Sequence, residues 1–167
     1  MMNEFRFYNE EKQGEKMEIV SFEDLVTTAR ADLAKLPKMQ SLGISSGEQP
    51  VFARDILLLD ARKIAETELF WNSNLGQEMK NKGFDECLVH VSTDQFLEIR
   101  FYAYMKKDGK FVSDNDYYEL PTDDPHYEEG KNAYKTYDTG SMFIRYLCTK
   151  GAVVVGNSYE HHDLLPA

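Results

Sequence analysis

The chain predicts an α+β fold, a single domain over residues 1–167 with N-terminal helices packed on a C-terminal antiparallel sheet. Three observations lead there. The 167 residues are 42% hydrophobic and 13% aromatic with only five prolines, the composition of a protein that builds a core. Apolar residues recur at helical spacing between Ser21 and Pro37. From Cys87 the period changes to two and holds as far as Lys106, where an Asp-Gly turn follows.

Taken in order, Phe5 and Phe7 alternate with polar neighbours and Lys16 to Val20 form a second apolar run, so the two predict a small hairpin around Gly14. Ser21 offers an N-cap hydroxyl, and Phe22, Leu25, Val26, Ala29, Leu33 and Leu36 follow on one helical face up to Pro37. Lys38 to Gln49, with Gly43, Ser45, Ser46 and Gly47, reads as a loop. Pro50 suits a first helical position, and Leu57, Ala61, Ile64, Ala65 and Leu69 continue the 3.6 period toward Phe70 or Trp71. Ile56 to Leu59 is apolar on every side, which fits a helix buried all round or a short buried strand ahead of a shorter helix.

Asn72 to Asn74 caps a short helix carrying Leu75 and Met79, with Gly83 as its left-handed stop. Val89 and Val91 share a strand face, and Phe96 to Lys106 is the longest strand expected. On it Leu97, Ile99, Phe101, Ala103 and Met105 face one way and Glu98, Arg100, Tyr102 and Tyr104 the other. Asp108-Gly109 turns the chain into a return strand, Phe111 to Tyr118. A helix is expected over Tyr127 to Tyr137, another after Ser141 with Phe143, Ile144 and Leu147, and a buried strand over Ala152 to Val155.

Nineteen Lys and Arg stand against 29 Asp and Glu, a net charge of −10. Such a balance opposes direct contact with nucleic acid, whose phosphates require cations, and favours contact with a basic surface. The charge is concentrated. Between Asp114 and Asp138, eight acids meet only Lys131 and Lys135, which leaves −6 of the −10, and five of the ten tyrosines lie in the same stretch. A solvated loop needs few rings, whereas an interface uses carboxylates to steer and tyrosines to anchor. The expected partner-binding residues are Asp114, Asp116, Tyr117, Tyr118, Glu119, Asp123, Asp124, Tyr127, Glu128, Glu129 and Tyr134.

Other constellations carry less. Asp138-Thr139-Gly140-Ser141 matches the four-residue string of aspartic-peptidase sites, but a single copy followed at once by a helical pattern reads as a loop ending in an N-cap serine. His161, His162 and Asp163 are metal-ligand types, yet adjacent histidines on an extended tail point to opposite sides, so no metal site is assigned. Glu98, Arg100, Tyr102 and Tyr104 form a polar and aromatic stripe that reads first as the solvent or covered face of a strand. His90 has no carboxylate partner in sequence and reads as structural. Cys87 and Cys148 lack metal or CxxC spacing and suit reduced thiols. Signatures of nucleotide, zincin and serine-hydrolase sites do not occur.

The sequence therefore leads to an acidic, non-catalytic inhibitor that needs no cofactor and covers a basic, nucleic-acid-processing protein such as a nuclease or a CRISPR or restriction effector. Anti-CRISPR, antirestriction and toxin-immunity proteins are of this kind. The chain has no apolar run of signal-peptide or membrane-span length, which fits a cytoplasmic protein. The alternative is a small α+β enzyme or ligand-binding domain whose pocket lies between the helices and the 96–106 strand, lined by Arg100, Tyr102, Tyr104 and His90.

Overall fold

The computed structural model describes residues 4–93, 99–113 and 140–166. It corrects the expected fold class. Among the described residues the chain is mostly β, with nine strands in two antiparallel sheets and three short α-helices, and the helices are not an N-terminal layer on a C-terminal sheet.

The first sheet has the order β2-β1-β3-β4. The hairpin predicted at the N-terminus is present as β1 (Glu4–Tyr8) and β2 (Met17–Ser21), paired from Glu4↔Ser21 to Tyr8↔Met17. Ser21 caps α1 (Phe22–Thr28) by accepting a hydrogen bond from the Asp24 amide at 3.1 Å. The expected helix to Pro37 stops there. Thr27 donates its hydroxyl to the Glu23 carbonyl at 2.8 Å, Thr28 bonds Asp24 in the same way, and Ala29 takes a left-handed conformation at φ 45°. Two β-branched residues bonded back to the preceding turn, followed by a left-handed one, end a helix whatever the apolar period beyond it. Leu33 still reaches the interior from a 3₁₀ turn, Ala31–Leu33, and packs with Phe7 and Val20.

The segment expected as a loop is a strand, β3 (Lys38–Ser46), which pairs with both β1 and β4 (Gln49–Phe52). Its serines mislead a composition-based reading. Ser41 and Ser46 are buried because their hydroxyls are bonded: Ser41 accepts from the Gly43 amide at 3.2 Å and Ser46 donates to the Ala152 carbonyl at 2.6 Å. The register slips between Ser41 and Ser45, around Gly43 at φ 66°.

The second sheet has the order β8-β7-β6-β5-β9. Its β5 (Asp55–Asp60) lies between two neighbours, so the all-apolar run at Ile56 takes the strand alternative, and the helix expected after Pro50 is replaced by β4, β5 and two 3₁₀ turns, Ala61–Lys63 and Leu69–Asn72. A fully buried strand is apolar on both faces, which is why no period of two was visible. Beside it run β6 (Glu86–Thr93), β7 (Ile99–Lys107), β8 (Lys110–Ser113) and β9 (Val153–Asn157). Asp108 and Gly109, both at positive φ, make the predicted β7–β8 turn.

One face of this sheet presents Leu57, Leu59, Cys87, Val89, Val91, Ala103 and Met105 to the main core. Leu75 and Met79 of α2 (Asn74–Lys82) and Phe143, Ile144 and Leu147 of α3 (Gly140–Thr149) cover that face, together with Phe70 and with Leu42, Ile44 and Val51 of the first sheet. Each such side chain, taken fully from water, contributes about 1.5–3 kcal/mol before entropy is counted. The Ser73 cap and the left-handed Gly83 bound α2 as its residues predict. Gly76 is fixed by crowding: a Cβ there would lie 2.1 Å from the Phe70 carbonyl oxygen. Gly76→Ala is expected to destabilise by about 1–3 kcal/mol, because the obstructing atom is backbone. A thermal melt within error of the wild type would show that the Phe70 turn and α2 are not this closely packed.

Candidate functional site

Every residue expected to bind a partner, from Asp114 to Tyr134, lies outside the described residues, as do the helix expected over 127–137, most of the expected 111–118 strand and Asp138. The described flanks fix where that stretch leaves and rejoins the fold: β8 ends at Ser113 and α3 begins at Gly140.

The three candidate metal ligands are described, and they do not converge. The His161 ring is turned onto β9, close enough that a Cβ on Gly156 would meet it at 2.7 Å, and its Nδ1 accepts from the Asn157 amide at 3.3 Å. Asn157 organises this turn, its Oδ1 accepting from the amides of Tyr159 and Glu160 at 3.0 Å each. His162 and Asp163 are exposed on a final 3₁₀ turn. Among the described residues no group of three or more His, Cys, Asp or Glu is placed to hold a metal ion.

Cys87 and Cys148 are free thiols. Burial pushes Cys87 up to about 12 and Cys148 up to about 11, so both stay protonated and poorly nucleophilic at neutral pH.

The sheets build two polar features, of which the first was not visible in sequence and the second includes His90 and the Tyr102 stripe named there. The first joins the sheets. Arg6 of β1 donates to Oδ1 of Asp55 at the start of β5, and the Phe52 amide donates to Oδ2 at 2.8 Å. Asp55 is wholly buried and Arg6 nearly so, with its guanidinium 4.7 Å over the Phe52 ring and 3.3 Å from the Met39 sulfur. Burial lifts the Asp55 carboxyl above its ordinary range, while Arg6 and the Phe52 amide oppose that rise.

The second is on the face of the second sheet opposite the main core, where Ile56, Leu88 and His90 are buried and Tyr102 is exposed. Alternation along β6 and β7 puts Leu88, His90 and Ser92 with Arg100, Tyr102 and Tyr104, on the side away from the core residues that α2 and α3 cover. A pocket between the helices and β7 is therefore not where Tyr102 lies. His90 pairs with Tyr102 across the strands, the two rings stacked with centroids 6.3 Å apart. His90 is 8% exposed, and its Nε2 is buried without a hydrogen-bond partner. Arg54, in the turn between β4 and β5, donates its amide to the Val91 carbonyl at 2.9 Å and accepts from the Ser158 amide at 2.8 Å. It holds φ 75°, a strained conformation for a residue with a Cβ.

Burial, then the Arg54 charge, depress the His90 imidazole below its ordinary value. A depressed folded value means that stability from the neutral ring is complete above the unfolded value of about 6.5 and is lost as pH falls through the folded one. Wild-type stability is thus expected to decline from pH 6.5 downward, and His90→Phe to flatten that part of the profile. Parallel profiles for the two proteins, measured by denaturant midpoint against pH, would show that His90 is not depressed.

On the described surface, Phe7, Leu33 and Leu36 floor a cleft of about 70 Å³ whose rim carries Lys12, Lys16, Glu18 and Asp32. Arg30 engages both of those acids, at 2.9 Å each. No helix among the described residues is long and apolar enough to cross a membrane. Comparison with protein-family models, with curated proteins and with solved structures found no match.

Proposed function

We propose that this protein is an acidic binding protein that covers the cationic surface of a nucleic-acid-processing partner, in the manner of an anti-CRISPR, antirestriction or toxin-immunity inhibitor, and that it acts in the cytoplasm. The observation that carries the reading is the 114–138 stretch, with eight carboxylates against two lysines and five tyrosines in 25 residues. Carboxylates of Asp114, Asp116, Asp123, Asp124, Glu128 and Glu129 occupy positions that phosphates take on the partner. Tyr117, Tyr118, Tyr127 and Tyr134 add contact area at low entropic cost.

Steering by opposite charge has a salt signature, because the Debye length shrinks from about 10 Å at 0.1 M to about 3 Å at 1 M. Capture of the partner on immobilised protein is therefore expected to be efficient at low ionic strength and to fall steeply as salt is raised. A partner held equally well throughout the salt range, or one without a basic surface, would refute the proposal.

A further inference from the structure

We propose that the cleft floored by Phe7, Leu33 and Leu36 binds a small monocarboxylate, with its apolar body on that floor and its carboxylate at Lys12 and Lys16. The cleft opens onto the smaller core, where Phe7 and Leu33 are buried and Leu36 is half-buried, so its bottom offers apolar contact to whatever enters. At about 70 Å³ it has room for about five water molecules, or for one small ring or branched chain in their place. The polar groups at its rim decide the charge of the occupant. Arg30 donates to Glu18 at 2.9 Å and to the two oxygens of Asp32 at 3.0 and 2.9 Å, so both acids of the rim already have their counter-charge. Lys12 and Lys16 have none: neither forms an ion pair among the described residues, although the chain as a whole carries −10. Together with Arg30 they set three cations against two acids, a local sign opposite to that of the whole protein.

The backbone holds these groups in place. The Asn9 amide donates to the Lys16 carbonyl at 2.9 Å and the Lys12 amide to the Asn9 carbonyl at 3.2 Å, which closes the β1–β2 loop with both lysines lining the cleft. The Asn9 side chain accepts from the Glu11 amide through Oδ1 at 3.1 Å, and its NH₂ group is thereby left as one more donor on a residue of the rim. Glu10, Glu11 and Glu15 share this loop but neither line the cleft nor pair with its lysines. What stays unmatched at the rim is therefore cationic and donating, beside an apolar floor, and an oxyanion on a compact apolar group complements both. The site lies outside the 114–138 stretch and stands or falls separately from the proposed function.

The test is a titration of the full chain with benzoate, following the methyl signals of Leu33 and Leu36 by NMR. Benzamide serves as the uncharged ring and acetate as the carboxylate without a ring. The expected result is a saturable shift of those methyls with benzoate, and binding of benzamide and of acetate weaker by about tenfold or more. In a variant carrying both Lys12→Gln and Lys16→Gln, benzoate is expected to lose its advantage over benzamide. Lys12 is exposed and Lys16 half-buried, so that variant should keep the methyl spectrum of the folded protein. No saturation with benzoate at Leu33 and Leu36, equal binding of benzamide or acetate, or a preference for benzoate that survives in the double variant would overturn the proposal.

Discussion

Asp55→Ala is expected to be the most damaging single change in the described fold, lowering stability by about 3–5 kcal/mol. The carboxylate lost is the one counter-charge of Arg6 among the described residues, and Arg6 is largely buried, with its guanidinium held over Phe52 and beside the Met39 sulfur. The Phe52 amide loses its acceptor in the same step. The cost is that of an orphaned charge and not the net contribution of the pair. Replacing both partners by apolar residues, Arg6→Met with Asp55→Leu, is accordingly expected to recover most of the loss. Urea denaturation of the two single variants and the double variant checks this. Singles that cost under about 1 kcal/mol, the size of an exposed pair, would mean that the two charges are solvated.

The second large effect concerns binding. Exchanging Asp114, Asp116, Asp123 and Asp124 for asparagine removes four of the eight carboxylates of the acidic stretch while keeping side-chain size. Affinity for the proposed basic partner is expected to fall about 100-fold or more, equivalent to about 3 kcal/mol, with much of the change in the association rate. A thermal melt of the variant beside the wild type separates loss of binding from loss of folding. Unchanged affinity in this variant would detach the charge cluster from the activity.

Parts of the fold were legible because local chemistry decided them. The Ser21 and Ser73 caps, the Gly83 stop, the Asp108-Gly109 turn and the alternation of β7 are all set by residues next to one another in sequence. The helix expected to reach Pro37 was cut short by local bonds of Thr27 and Thr28, whereas at two other segments long-range contacts overrode local pattern. Lys38 to Ser46 carries the glycines and serines of a loop, yet becomes a strand because β1 and β4 satisfy its backbone and Ala152 accepts from Ser46. The run from Pro50 kept a helical spacing, but Ile56 to Leu59 is buried between β6 and β9, where strands need no alternation. Reading those two segments as loop and helix turned a mostly β chain into an expected α+β one.

The polar sites differ in the same way. Arg6 and Asp55 are 49 positions apart, and nothing in their neighbourhoods announces the pairing. His90 was visible as a lone strand histidine, but only the register that sets it against Tyr102, and the turn that brings Arg54 alongside, show what surrounds it. The acidic stretch is distinguished by composition alone and lies outside the described residues.

The central claim is that carboxylates of this protein stand where a partner's phosphate ligands belong. Competition tests it most directly: the captured partner is challenged with increasing double-stranded DNA or RNA at fixed ionic strength, and the fraction still bound is read. Mutually exclusive binding, in which nucleic acid displaces the protein and the protein displaces nucleic acid, is the predicted result. A stable ternary complex at saturating nucleic acid would contradict it.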